Sequence, residues 1–102
     1  MKESKRSKLP RRVEYTRVFE KSWECYNRAG RRNMNDMIKV MKLIFSGEKL
    51  PPEYLDHALN GEEWGEAREL HVGGDFLLVY RVNEKKNLVT FIDLGTHSEL
   101  FG

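Results

Sequence analysis

The spacing of apolar and polar positions divides the chain into two helical stretches followed by three extended ones. After a polar start, Val13, Tyr15 and Val18 alternate briefly, which suits one short strand. From Thr16, a good N-cap, Phe19, Trp23 and Tyr26 recur at i, i+4 and i+7, and Ala29-Gly30 ends the pattern as helix C-termini usually do. Asn33 caps a second helix. Its residues Met34, Met37, Ile38, Met41, Ile44 and Phe45 form one apolar stripe, stopped by Ser46-Gly47, and at this spacing the methionines read as core. The connection from Gly30 to Arg32 is tight, so the helices form an antiparallel hairpin.

Leu50-Pro51-Pro52 forbids further helix and opens an irregular stretch through Trp64-Gly65, with Tyr54, Leu55, Leu59 and Trp64 as apolar anchors. Three strand signals follow: Ala67 to Val72, Phe76 to Val82 and Leu88 to Leu94. Gly73-Gly74 supplies the positive φ of a hairpin turn, and Asn83 to Asn87 is a polar second turn. The run FLLVY is apolar without alternation, which places its strand in the middle, covered on both sides. The predicted fold is α/β in the α+β sense. A short N-terminal strand and a three-stranded meander build a twisted antiparallel sheet, and the helix hairpin packs on one face.

At 102 residues the chain fits one domain, expected at residues 13–102 behind a basic, flexible arm at residues 1–12. No apolar run approaches the roughly 20 residues of a membrane span, and the N-terminus lacks the apolar core of a secretory signal, so the expectation is a cytoplasmic protein. Cys25 is the only cysteine, which excludes an internal disulfide and a cysteine-based metal cluster. The net charge of +2 hides an asymmetry. Residues 1–50 hold 14 Lys or Arg against 6 Asp or Glu, a balance of +8, whereas residues 51–102 hold 4 against 10, a balance of −6. A basic first half suits phosphate, and an acidic second half suits a basic partner.

All three histidines fall in the acidic half. His57 sits in the long loop, His71 near the end of the first meander strand, and His97 directly after the last. Asp75 opens the middle strand across the Gly-Gly turn from His71, and antiparallel pairing brings His97 to the same edge. Several imidazoles around one pocket can divide general-base and general-acid work near neutral pH. RNA cleavage needs that division: one group takes the 2′-OH proton and another protonates the departing 5′-oxygen. Asp75 is placed to orient an imidazole, while Phe76, Trp64 and Phe101 are candidates for stacking on an unpaired base. No H-x-x-x-H pair, phosphate loop, nucleophile elbow or CxxC is present, so neither metal nor cofactor is expected.

The motifs D-H-x-L-x-G, R-x-x-H-V, D-[aromatic]-x-L-x-Y and G-T-H-x-x-L-F occur in order across residues 13–102. In this the chain resembles the RelE/ParE superfamily of bacterial toxins, and within it the YafQ branch of messenger-RNA interferases. The resemblance implies a toxin of a type II toxin–antitoxin system that cleaves mRNA in the A site of the 30S ribosomal subunit. It implies inhibition by a DinJ-like ribbon-helix-helix antitoxin. It also implies acid/base roles for His57 and His71, a phosphate-side role for His97, and site positions for Asp75 and Phe101, with Arg68 as a phosphate contact and Phe76 as substrate-binding. Two positions depart from the pattern: Phe76 stands where close relatives often carry Trp, and Asp93 where many carry Arg. A gyrase-poisoning toxin of the ParE kind, which needs no catalytic histidines, and a non-catalytic binding module are the alternative readings.

Overall fold

The computed structural model describes residues 9–62 and 64–102. In chain order the elements are β1 (Arg12–Tyr15), α1 (Arg17–Ala29), α2 (Met34–Ser46), a single 3₁₀ turn (Pro52–Tyr54), β2 (His57–Ala58), β3 (Arg68–Gly73), β4 (Phe76–Asn83), β5 (Leu88–Gly95) and α3 (His97–Phe101).

Both long helices begin and end where their caps dictate. The Thr16 hydroxyl accepts from the Phe19 amide at 2.9 Å and donates to the Ile92 carbonyl at 2.6 Å, so one side chain starts α1 and ties it to β5. Asn33 Oδ1 accepts from the amides of Asn35 and Asp36 at the start of α2. Gly30 and Gly47 close the two helices in the left-handed conformation.

The strands form one five-stranded sheet in the order β1-β5-β4-β3-β2. Three features depart from the sequence expectation. The β1–β5 pairing is parallel, so the sheet is mixed rather than wholly antiparallel. The loop contributes a fifth strand, β2, antiparallel to the outer edge of β3. The hairpin turn is Gly74-Asp75, because Gly73 pairs with Phe76 after a bulge and Gly74 carries the positive φ of +56°. The FLLVY segment lies in the central strand and is buried throughout, as its lack of alternation implies.

Phe19, Met37, Val40 and Ile44 of the helices pack on Leu70, Leu78, Val89, Phe91 and Leu94 of the sheet. Each fully buried large side chain contributes about 1.5–3 kcal/mol relative to exposure. The buried line of α2 is Met37, Val40 and Ile44, whereas Ile38 and Phe45 sit at its rim with 38% and 36% exposure. The sequence stripe was therefore correct in direction and rotated by part of a turn.

Arg11 and Arg12, at the end of the expected arm, are bonded to the fold. The Arg11 amide donates to the Phe45 carbonyl at 2.9 Å, and its Nη1 donates to the Ile44 carbonyl at 2.6 Å near the α2 C-terminus. Arg12 belongs to β1, and its amide donates to Asn87 O at 2.8 Å. Residues 1–8, the rest of the expected basic arm, lie outside the described residues. Among the described residues no helix is long and apolar enough to cross a membrane.

Candidate active site

His57 on β2 pairs in register with Glu69 on β3, so their side chains share a face, and His71 lies two residues further along the same face. The Glu69 carboxylate is buried, with only 4% of the residue exposed. Its Oε1 stands 3.7 Å from His57 Nε2, and its Oε2 stands 3.8 Å from His71 Nε2. One buried carboxylate thus lies between two imidazoles. The remaining ring nitrogens face carbonyls: His57 Nδ1 is 2.8 Å from Leu55 O, and His71 Nδ1 is 3.3 Å from Gly74 O. A nitrogen facing a carbonyl carries the proton in the neutral ring, which leaves Nε2 as the basic atom on the Glu69 side.

Glu69 was absent from the sequence candidates. In R-E-L-H it stands two positions before His71, a spacing that places it on the His71 face of any strand. That signal was readable; the arrival of His57 opposite it was not.

The register also brings the end of β5 to this edge, because His71 pairs with Leu77 and Leu77 pairs with Gly95. His97 opens α3, and its backbone amide donates to Asp75 Oδ1 at 3.1 Å. Asp75 therefore fixes the start of α3, instead of contacting an imidazole as the sequence suggested. The His97 ring packs on Phe101 with centroids 5.0 Å apart, and Phe101 meets the edge of Trp64 at 5.4 Å. Together Trp64, Phe101 and His97 make an aromatic wall.

The placement of α3, only five residues long, depends on specific bonds. Thr96 and Glu99 form a reciprocal capping box, with Thr96 N donating to Glu99 Oε1 at 2.8 Å and Glu99 N donating to Thr96 Oγ1 at 3.3 Å. The Tyr26 hydroxyl on α1 donates to the same Glu99 oxygen. That bond holds the Glu99 carboxyl below its usual range, while burial, followed by the Glu99 bond, pushes the Tyr26 phenol up to about 12. Gly95 has a φ of +156°, and a Cβ there would lie 2.8 Å from Glu99 Oε1, so this position needs glycine.

Two expected site residues face elsewhere. Phe76 is 3% exposed, packs on Tyr26 at 5.0 Å between centroids, and has the Arg32 guanidinium 5.2 Å above its ring. It shares the helix-side face with Leu78 and Tyr80 and belongs to the core rather than to the imidazole edge. Arg68 neighbours Glu69 in an extended strand and so points to the opposite face, where it pairs with Asp56 at 2.9 Å. The structure thus places Arg68 across the sheet from the imidazoles, paired with Asp56. Asp93 accepts from Ser22 Oγ at 2.7 Å and from the Leu94 amide at 2.8 Å, which ties α1 to β5. Among the described residues no three His, Cys, Asp or Glu side chains converge in metal-binding geometry.

The family model for the YafQ bacterial toxin of type II toxin–antitoxin systems matches residues 11–102. The chain is 33% identical over 95 residues to the mRNA interferase toxin YafQ of Escherichia coli strain K12, covering 92% of this chain and 99% of that one. It is 29% identical over 89 residues to a putative toxin YafQ of Haemophilus influenzae, covering 72% of this chain and 86% of that one. Among solved structures, the E. coli DinJ–YafQ complex matches with a TM-score of 0.81 and 32% identity over 90% of this chain and 99% of the YafQ chain. A metal-bound toxin from Helicobacter pylori also matches at a TM-score of 0.81 and 32% identity, over 89% of this chain and 99% of that one. With the His–Glu–His edge, the capped C-terminal turn and a family match reaching from Arg11 to the last residue, this chain belongs to the YafQ family of toxins of type II toxin–antitoxin systems.

Proposed function

We propose that the protein is a ribosome-dependent endoribonuclease that cleaves mRNA in the ribosomal A site. The observation carrying this reading is the buried Glu69 carboxylate between His57 and His71, beside the wall of His97 and Phe101. An imidazole Nε2 takes the ribose 2′-OH proton, and the 2′-oxygen attacks the adjacent phosphorus. The bond from phosphorus to the 5′-oxygen breaks, and a second imidazole protonates that oxygen, leaving a 2′,3′-cyclic phosphate and a 5′-hydroxyl. His57 and His71 perform the two transfers, and Glu69 stabilises whichever ring is cationic. His97 holds the scissile phosphate, Phe101 and Trp64 stack on the base, and Asp75 fixes α3 so that His97 stays in place. The fold needs no cofactor for this chemistry.

The E. coli relative occurs in a complex with DinJ. A DinJ-like ribbon-helix-helix antitoxin is the matching partner for this chain, and the cytoplasm is where toxin, antitoxin and ribosome meet. Expression of the wild type and of His57→Ala, His71→Ala and His97→Ala, with mapping of mRNA 5′ ends, tests the reading. New in-frame cleavage sites in the wild type that vanish in the variants are expected. Toxicity without such sites refutes it, and histidine variants that stay toxic while inducing DNA damage point to a gyrase poison instead.

A further inference from the structure

We propose that Asp56, Arg68 and Tyr80 form a clamp on the helix side of the sheet that positions His57 on the other side. This rests on the reading of His57 as an acid/base group. The Asp56 carboxylate accepts from Arg68 Nη2 at 2.9 Å, from Arg68 Nε at 3.1 and 3.3 Å, and from the Tyr80 hydroxyl at 2.5 Å. Arg68 and Tyr80 are register partners on β3 and β4, so the sheet itself assembles the guanidinium beside the phenol. Asp56 alone comes from the loop. The clamp therefore transfers the position of the sheet to the loop.

His57 depends on that transfer because its segment has few other ties: two β2–β3 pairs, the Leu59 amide on the Ala67 carbonyl and Tyr54 on the core. β2 is two residues long. Ahead of it runs a single 3₁₀ turn ending at Leu55 in the left-handed conformation, φ 54°. On the helix side, Asp56 and Tyr80 line an open cavity of about 530 Å³ with Pro52 and Leu55, while Tyr54 packs against the core just ahead of Asp56. Besides its pairing with Glu69 in the β2–β3 ladder, His57 has two handles: its backbone follows Asp56, and its Nδ1 meets the Leu55 carbonyl. Both handles flank the clamped residue. With Asp56 released, the ring loses its fixed proton position and Nε2 leaves the Glu69 carboxylate.

The electrostatics agree with a clamp that stays shut. Burial, reinforced by the bond to Asp56, pushes the Tyr80 phenol far up, and the same carboxylate raises the Arg68 guanidinium. Both donors keep their protons throughout the range in which a toxin works. A bidentate Arg–carboxylate pair with a third donor is geometrically specific, and removing the acid leaves a partly buried guanidinium unpaired.

The test combines ring NMR with ribosome-dependent cleavage by the full chain, using Asp56→Asn, Tyr80→Phe, His57→Ala and the double variant His57→Ala/Asp56→Asn. In the wild type, ¹⁵N-detected imidazole signals of His57 show one tautomer protonated on Nδ1. In Asp56→Asn they shift toward a tautomer mixture while those of His97 stay put. Cleavage by Asp56→Asn falls about 10- to 100-fold in kcat at little changed KM, the size expected when a catalytic group is displaced by about 1 Å. In the His57→Ala background the same substitution costs less than about twofold, because the clamp acts through that ring. A full additional loss in that background, or unchanged His57 signals in Asp56→Asn, overturns the clamp. Full cleavage by His57→Ala instead overturns the catalytic reading of His57, and the NMR arm still judges the clamp. Should Asp56→Asn not fold, Tyr80→Phe, which removes one oxygen and keeps the ring, carries the same comparison.

Discussion

Replacing Tyr26 with Phe isolates the bond that fastens the C-terminal turn. Phenylalanine keeps the ring that packs on Phe76 at 5.0 Å between centroids and removes only the hydroxyl that donates to Glu99. A hydrogen bond to a charged acceptor contributes about 1.5–3 kcal/mol when shielded. Glu99 is exposed, so screening reduces the value to about 1 kcal/mol. That is close to a fivefold change in the equilibrium between docked and open α3. The bonds from Thr96 to Glu99 and from His97 to Asp75 remain, so the turn still docks most of the time. Native-state hydrogen exchange reads the change directly. The amides of Leu100 and Gly102, which donate to the carbonyls of Thr96 and Ser98 at 3.0 Å, are expected to exchange about fivefold faster, with the β4 amides unchanged. Global thermal stability falls by no more than about 4–8 °C. Unchanged exchange in α3 refutes the latch, as does an equal acceleration in β4, which would mean that the hydroxyl supports the whole fold.

Other outcomes follow from the same geometry. Gly95→Ala is expected to cost about 1–3 kcal/mol in thermal or chemical unfolding, through its φ of +156° and its contact with Glu99 Oε1; adding Glu99→Ala relieves part of that cost. Phe76→Ala removes a core ring and is expected to cost about 3–5 kcal/mol, whereas Phe101→Ala leaves the unfolding midpoint nearly unchanged and lowers mRNA cleavage. The α3 latch has a pH window. Glu99, held low, contributes stability that is present above the ordinary carboxylate range and lost as pH falls through its folded value. Tyr26, raised to about 12, contributes stability that is complete below its ordinary value of 10.0 and lost as pH rises through about 12. NMR methyl signals of Leu100, which carries no titrating group, should therefore stay constant between these limits and broaden or shift outside them.

What could be read from the chain alone was whatever neighbouring residues decide. Thr16 and Asn33 begin helices, Gly30 and Gly47 end them, and the unalternating FLLVY occupies the central strand, because caps, glycine conformations and apolar periodicity act over a few residues. The convergence of His71, Asp75 and the start of α3 was also readable, since a meander with short turns leaves few other places for its strand ends. Tertiary structure decided the rest. A two-residue strand has too little pattern to announce itself, so only its pairing with β3 sets His57 against Glu69. Parallel pairing of β1 with β5 joins segments more than 70 residues apart, and nothing local selects it. The pleat then sorts adjacent residues to opposite faces. Glu69 reaches the imidazoles while Arg68 reaches Asp56, and Phe76 enters the core where Asp75 meets His97, because strand register and the covering helices determine which face becomes the site.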